Sequence, residues 1–198
     1  MNGLVICVAL GVEARAVARG LRPGDGVAVV RTGMGPRRAA RAVPRLDGYR
    51  AMAVTGFGGA LDDGLRPGEA LVANEVRYRD RTLPCPLADE LAEELAREGI
   101  PAQTGALLTC DRLVTGAARA RLAATGARVV DMESWPLAEA VAADRPLAVV
   151  RVVVDTPAAP LPSLAALRGG VRARRVLRRL GPVLARWAAS VHAKEGRP

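Results

Sequence analysis

Four carboxyl groups stand where apolar runs of the sequence give way to glycine, serine or proline. Glu13 lies in ALGVEAR (9–15), Asp131 and Glu133 in ARVVDMESWPLAEA (127–140), and Asp155 in RVVVDTPA (151–158). A carboxyl withdrawn from water loses preference for its charged form, so its pKa rises and it can donate or accept a proton near neutral pH. Two further segments carry glycine instead of charge: RTGMGPRRAA (31–40), a Gly-x-Gly turn that opens a helix, and VTGFGGALDDGLRPGEALVANEV (54–76), a Gly-rich loop. The first offers backbone N–H groups to an anion at a helix start. Three of the acids also have a structural alternative. Glu13 can complement a helix dipole, Asp131 can cap a helix, and Asp155 can shape the turn before Thr156–Pro157.

Other chemistries lack material. The single histidine, His192, lies six residues from the end, which argues against a His-metal site and a Ser-His-Asp triad. Cys7, Cys85 and Cys110 have neither metal spacing nor the number for a disulfide framework, as expected of a protein kept in a reducing cytoplasm. No metal and no cofactor is expected. Aromatic residues make up only 3% of the 198, too few for base-stacking platforms, so no nucleic-acid partner is expected. No run reaches the roughly 18 apolar residues of a membrane span. The opening MNGLVICVAL lacks a basic leader and a small-residue cleavage site and reads as a first strand.

The elements that must position these acids follow from the hydrophobic pattern. Strands are predicted at 4–10, 27–32, 51–56, 69–78, 104–110, 127–131 and 147–154, with helices near 13–21, 36–46, 87–98, 116–125 and 134–143. Thr115 and Ser134 are candidate N-caps. The alternation implies an α/β protein, a single three-layer αβα domain around a central mixed sheet. All five segments then fall at strand ends, where ligands of open α/β sheets bind.

Residues 1–163 form the α/β part and 164–198 a helical segment of the same domain. Of 29 basic residues 28 are arginine; residues 1–167 are net +1 and residues 168–198 net +8. Ala173, Leu177, Leu180, Leu184, Trp187 and Val191 form one apolar stripe bordered by arginines, with breaks expected at Gly169–Gly170 and Gly181–Pro182. Such a helix either packs on the sheet with its basic face in water or lies against anionic membrane.

Taken in order, the five segments resemble the nucleoside phosphorylase and nucleosidase superfamily, from about residue 4 to 158. The set T-G-x-G-G-x-L-D, V-D-M-E-S and R-V-x-x-D carries the likeness. Within the superfamily the E-A-R start, the D-M-E-S centre and the Arg-rich C-terminal helices look most like the hopanoid-associated phosphorylase group, which removes adenine from adenosylhopane. The resemblance implies cleavage of the N-glycosidic bond of a 5′-substituted adenine nucleoside. It places the purine-protonating acid at Asp155, the ribose-binding carboxylate at Glu133 beside Met132, and the water-orienting carboxylate at Glu13. It also implies substrate contacts from Gly56, Phe57, Gly58, Leu113 and Val114, and a phosphate or water site at Gly33, Gly35 and Arg37. A small-molecule nucleoside partner, lipid-linked as the hopanoid-associated likeness implies, a homodimer, and a cytoplasmic protein seated peripherally on the inner membrane face through its C-terminal helices complete the expectation. Methylthioadenosine, adenosylhomocysteine or futalosine cleavage, purine nucleoside phosphorolysis, and nucleoside binding without turnover are the alternatives.

Two departures bear on chemistry. Where phosphorylases of the superfamily carry an Arg ahead of the Gly and a Ser after it, the positions flanking Gly56 read Val54 and Phe57, which favours water over phosphate as acceptor. The aromatic that helps enclose the base is replaced by Leu113 in TCDRLV (109–114), which keeps an apolar wall but weakens stacking.

Overall fold

The protein is described by a computed structural model that covers residues 3–141, 145–160 and 163–195. In chain order the elements are β1 (Leu4–Val8), α1 (Gly11–Ala18), β2 (Val27–Arg31), α2 (Pro36–Ala42), β3 (Ala51–Ala60), β4 (Ala70–Tyr78), β5 (Arg81–Pro84), α3 (Ala88–Arg97), β6 (Ala102–Thr109), α4 (Ala117–Ala123), β7 (Val129–Asp131), α5 (Ser134–Glu139), β8 (Leu147–Asp155) and α6 (Leu164–Glu195). All eight strands belong to one mixed sheet flanked by helices, the architecture anticipated from the alternation. The short edge strand β5 was not anticipated: its sequence is Arg-Thr-Leu-Pro, it is mostly exposed, and among the described residues it pairs only with β4.

β3 organises the site. Along one edge it pairs with β8 in parallel; along the other it pairs first with β1, at Ala51–Val54, and then with β7, at Gly59 and Ala60. β8 also pairs with β4, β4 with β6, and β6 with β7, so the sheet closes through β3, β8, β4, β6 and β7. Between Val54 and Gly59 the β1 side of β3 has, among the described residues, no strand beside it, and the strand ends that diverge there leave room for side chains.

Alternation sets the two faces. Leu4, Ile6, Val8, Ala53, Val150 and Val152 pack beneath α1, α3 and α6, whereas Val5, Cys7, Val54, Val149, Val153 and Leu71 pack towards Trp135 and Leu137 of α5 and Ala39 of α2. Residue 151 shares the second face with Val149 and Val153, and there the sequence places an arginine.

α6 is one helix, not the expected pieces. Its glycines serve close approach. A Cβ on Gly169 would stand 2.5 Å from the Val154 carbonyl oxygen and one on Gly181 3.0 Å from that of Val17, while α6 itself crosses Gly20 so closely that a Cβ there would meet the Arg178 oxygen at 1.8 Å. Pro182 inside a helix costs about 3 kcal/mol. Burial of Leu177, Leu180, Val183, Leu184, Trp187 and Val191, none more than 5% exposed, offsets it. The stripe is thus used in packing, and the arginines face outward. The helix caps also differ from expectation: α4 and α5 start after Gly116 and Glu133, and neither Thr115 nor Ser134 caps.

Candidate active site

Glu13 enters from the first turn of α1, directly after β1. Its Oε2 accepts the Leu10 N–H at 2.7 Å and its Oε1 the Phe57 N–H at 2.8 Å, on the stretch of β3 without a neighbouring strand. Gly56 makes this approach feasible. Its φ is +145°, and a Cβ would stand 2.7 Å from Arg151 Nη1 and 2.8 Å from Glu13 Oε1. Gly56→Ala is therefore expected to lower the stability by about 1–3 kcal/mol through overpacking, read as a fall of several degrees in a thermal melt, and to displace Glu13 with it.

Arg151 joins the acids. It is 1% exposed, and its Nε donates to Asp131 Oδ2 at 2.8 Å, Nη1 to the Thr55 carbonyl at 3.2 Å and Nη2 to Ser134 Oγ at 3.1 Å; Glu133 Oε2 lies 3.5 Å from Nη2. Glu133 Oε1 accepts the Gly35 N–H at 2.8 Å, tying the α5 start to the glycine turn before α2. Asp131 has a structural environment. Its Oδ1 accepts from Thr109 Oγ1 at 2.7 Å and its Oδ2 from the Ser134 N–H at 3.1 Å, so it fixes the first turn of α5 and holds Arg151. Burial pushes the carboxyls of Glu13 and Glu133 above the ordinary carboxylate range; Arg151 opposes the rise at both, and for Glu133 the adjacent Asp131 adds to it. Three carboxyls facing one guanidinium leave the cluster poor in positive charge.

Asp155, 3% exposed at the end of β8, stands against Gly59, two residues along β3 from the Phe57 N–H that holds Glu13. A Cβ on Gly59 would lie 3.1 Å from Asp155 Oδ1 and 3.0 Å from Arg119 Nη2. Arg119 of α4 is itself buried and forms an ion pair with Asp155 Oδ2. It also donates from Nη1 to the Ala60 carbonyl at 3.0 Å and from Nε to the Val114 carbonyl at 3.3 Å. Burial raises the Asp155 pKa, and Arg119 works against the rise.

The remaining predicted residues surround this core unevenly. Met132 and Gly35 line an open cavity of about 980 Å³ together with Met34, Arg37, Tyr78 and Trp135. Gly33 is packed against the Arg38 side chain. Leu113 is 63% exposed and shares a second cleft, of about 580 Å³, with Val114. Phe57 is half-buried and its ring packs towards the α1, α3 and α6 side, whereas Gly58 abuts Val129 of β7. Glu13, Glu133 and Gly56 are thus brought together around Arg151, with Asp155 farther along the same strand. Arg151 and Arg119 were missed as site residues. Arg151 had a signal, one charge inside the apolar run LAVVRVVV; Arg119 had none to separate it from Arg121 in AARARLA.

The phosphorylase superfamily profile matches residues 11–180. The chain belongs to the phosphorylase superfamily. Among curated proteins no sequence match is found. Several solved structures share the superfamily fold over nearly the whole chain. A futalosine hydrolase from Helicobacter pylori is 15% identical, with 93% of this chain and 99% of that one covered and a TM-score of 0.73. The 5′-methylthioadenosine/S-adenosylhomocysteine nucleosidase of Neisseria meningitidis, solved with methylthio-immucillin-A, is 18% identical, with 92% and 100% covered and a TM-score of 0.72. That of Colwellia psychrerythraea, solved with adenine, is 23% identical, with 92% and 96% covered and a TM-score of 0.69. The alignments of this superfamily member thus span nearly the full length of those three chains.

Proposed function

We propose that the protein hydrolyses the N-glycosidic bond of a 5′-substituted adenine nucleoside and releases adenine. The observation that carries this reading is the convergence of Glu13 and Glu133 on Arg151 at the gap in β3, with Asp155 two residues farther on. The 5′-methylthioadenosine/S-adenosylhomocysteine nucleosidases that share its fold, one solved with an analogue and one with adenine, support it. In the proposed reaction, water attacks C1′ while the C1′–N9 bond breaks. Glu13 takes a proton from the water, and Asp155 gives its proton to N7, so the purine leaves neutral. Glu133 accepts hydrogen bonds from the ribose hydroxyls and places negative charge beside the developing oxocarbenium ion. The raised pKa values of Glu13 and Asp155 suit these roles, because a raised pKa makes a carboxylate a better base and widens the pH range over which a carboxyl can act as an acid.

Water is favoured over phosphate on electrostatic grounds. Each guanidinium nitrogen of Arg151 already has a partner, Asp131 at Nε, Thr55 at Nη1 and Ser134 with Glu133 at Nη2, and the Gly35 N–H is taken by Glu133, so an anion would have to compete with bonds already made. Arg37 faces the open cavity from an exposed position. Adenine release from 5′-methylthioadenosine is expected to proceed in phosphate-free buffer at the rate seen with phosphate; chromatography of the products distinguishes free 5-methylthioribose from its 1-phosphate. A strict phosphate requirement would contradict the reading.

The lipid-linked substrate adenosylhopane is the finer proposal. Support comes from the motif likeness and from the basic outer face of α6, since the apolar stripe of that helix is buried within the domain. Among the described residues no helix is long and apolar enough to cross a membrane. Efficient turnover of soluble 5′-substituted adenosines, with none of a lipid-tailed one, would favour the soluble-substrate alternative.

A further inference from the structure

We propose that Arg119 is a positioning residue for the purine-protonating carboxyl: it fixes Asp155 in place and receives the negative charge that proton transfer leaves there. The proposal rests on the reading of Asp155 as the proton donor. When the proton passes from the Asp155 carboxyl to N7, the electron pair of the breaking C1′–N9 bond moves onto the purine, the base departs neutral, and a buried carboxylate remains. An isolated carboxylate at a site 3% exposed would be costly. A guanidinium already paired with Oδ2 stabilises the product of that transfer, and it stays charged at every working pH.

The pair has the features of a built arrangement. Arg119 is 4% exposed and anchored at three points: Asp155, the Ala60 carbonyl at the end of β3, and the Val114 carbonyl before α4. Room for it comes from Gly59, where a Cβ would sit tightly against both partners, 3.0 Å from Arg119 Nη2 and 3.1 Å from Asp155 Oδ1. Among the described residues Arg119 is the charged group that faces Asp155 from α4. β3 presents Gly59, β7 presents Val130, and α6 approaches the end of β8 through Gly169. The other buried cation of β8, Arg151, is committed to Asp131 and Glu133.

The consequence is a trade between acid strength and occupancy. Arg119 makes Asp155 a stronger acid and also lowers the pH up to which it is protonated. Without the charge, Asp155 should hold its proton to higher pH and release it less readily. The test compares Arg119→Gln, Arg119→Lys and Arg119→citrulline, the last a near-isosteric neutral replacement that keeps Nε and one terminal NH2 as donors and exchanges the other for a carbonyl oxygen. The basic limb of kcat/KM for 5′-methylthioadenosine is expected to move up by at least one pH unit in the citrulline and Gln proteins, with kcat on the plateau down about tenfold. The Lys protein should keep the limb within a few tenths of a unit. A limb that stays in place when the charge is removed, whatever happens to kcat, would overturn the proposal. Carbon-13 NMR titration of the Asp155 carboxyl, assigned by its loss in Asp155→Asn, reads the same shift without turnover. A wild-type protein that cleaves no nucleoside yet shows this shift would refute the functional reading and leave the Arg119–Asp155 coupling standing.

Discussion

Arg151→Met should melt roughly 6–20 °C below the parent protein. The guanidinium is 1% exposed and is the shared counter-ion of Asp131, Glu133 and Glu13. Methionine fills much the same volume but leaves three buried carboxyls with nothing to balance them. Removing one partner of a buried ion pair typically costs 3–5 kcal/mol, and a chain of 150–250 residues loses roughly 2–4 °C per kcal/mol. The loss should also depend on pH. Glu13 and Glu133 already have raised pKa values, so the charged forms are disfavoured in the fold, and stability is fully present only below the unfolded carboxylate range and falls as pH rises through the raised values. Without Arg151 those values rise further, and the defect should shrink as the medium is acidified. Circular-dichroism melts across pH test both points. A shift under about 3 °C, or one independent of pH, would show that Arg151 does not hold the cluster.

Asp155→Asn is expected to lower kcat by about 100-fold or more, the usual size of a lost general acid. Asparagine keeps the shape and an oxygen for Arg119 but has no proton to give, so the loss should be largest at low pH and the basic limb of the profile should disappear. Glu133→Gln should behave differently, raising KM and lowering kcat together, because the same oxygens bind the ribose in the ground state and face the positive charge of the transition state. Glutamine can still accept the Gly35 N–H, which should preserve the local fold. Steady-state kinetics of folded, matched preparations separate the two patterns. Equal, small effects from both substitutions would remove the roles assigned to them.

Much of the scaffold was readable because buried strands advertise themselves. Runs such as LVICV and LAVVRVVV cannot lie anywhere but between two layers, and their alternation places successive side chains on opposite faces. The acids were readable because each follows such a run. Their charge partners were less so. Whether Asp155 meets water or a cation depends on the crossing of β8, β3 and α4, distant in sequence, and nothing local marks Arg119 rather than Arg121 as the one turned inward. A strand was expected to end at Gly56 and give way to a Gly-rich loop, yet β3 runs on to Ala60, and Gly56 and Gly59 act by leaving space for Glu13, Arg151 and the Asp155 pair. The tail misled in a related way: Gly169, Gly181 and Pro182 are helix breakers by propensity, but the contacts they permit with Val154 and Val17 are worth more than the propensity lost.

The most direct measurement is chromatographic detection of free adenine when the purified wild-type protein is incubated with 5′-methylthioadenosine, S-adenosylhomocysteine and a lipid-tailed 5′-substituted adenosine in phosphate-free buffer, beside Asp155→Asn as the matched control. Catalytic adenine release from at least one of them, reduced about 100-fold or more by the substitution, is the predicted result. Absence of release from all three, or release that Asp155→Asn leaves unchanged, would contradict the assignment of this carboxylate cluster to N-glycosidic bond cleavage.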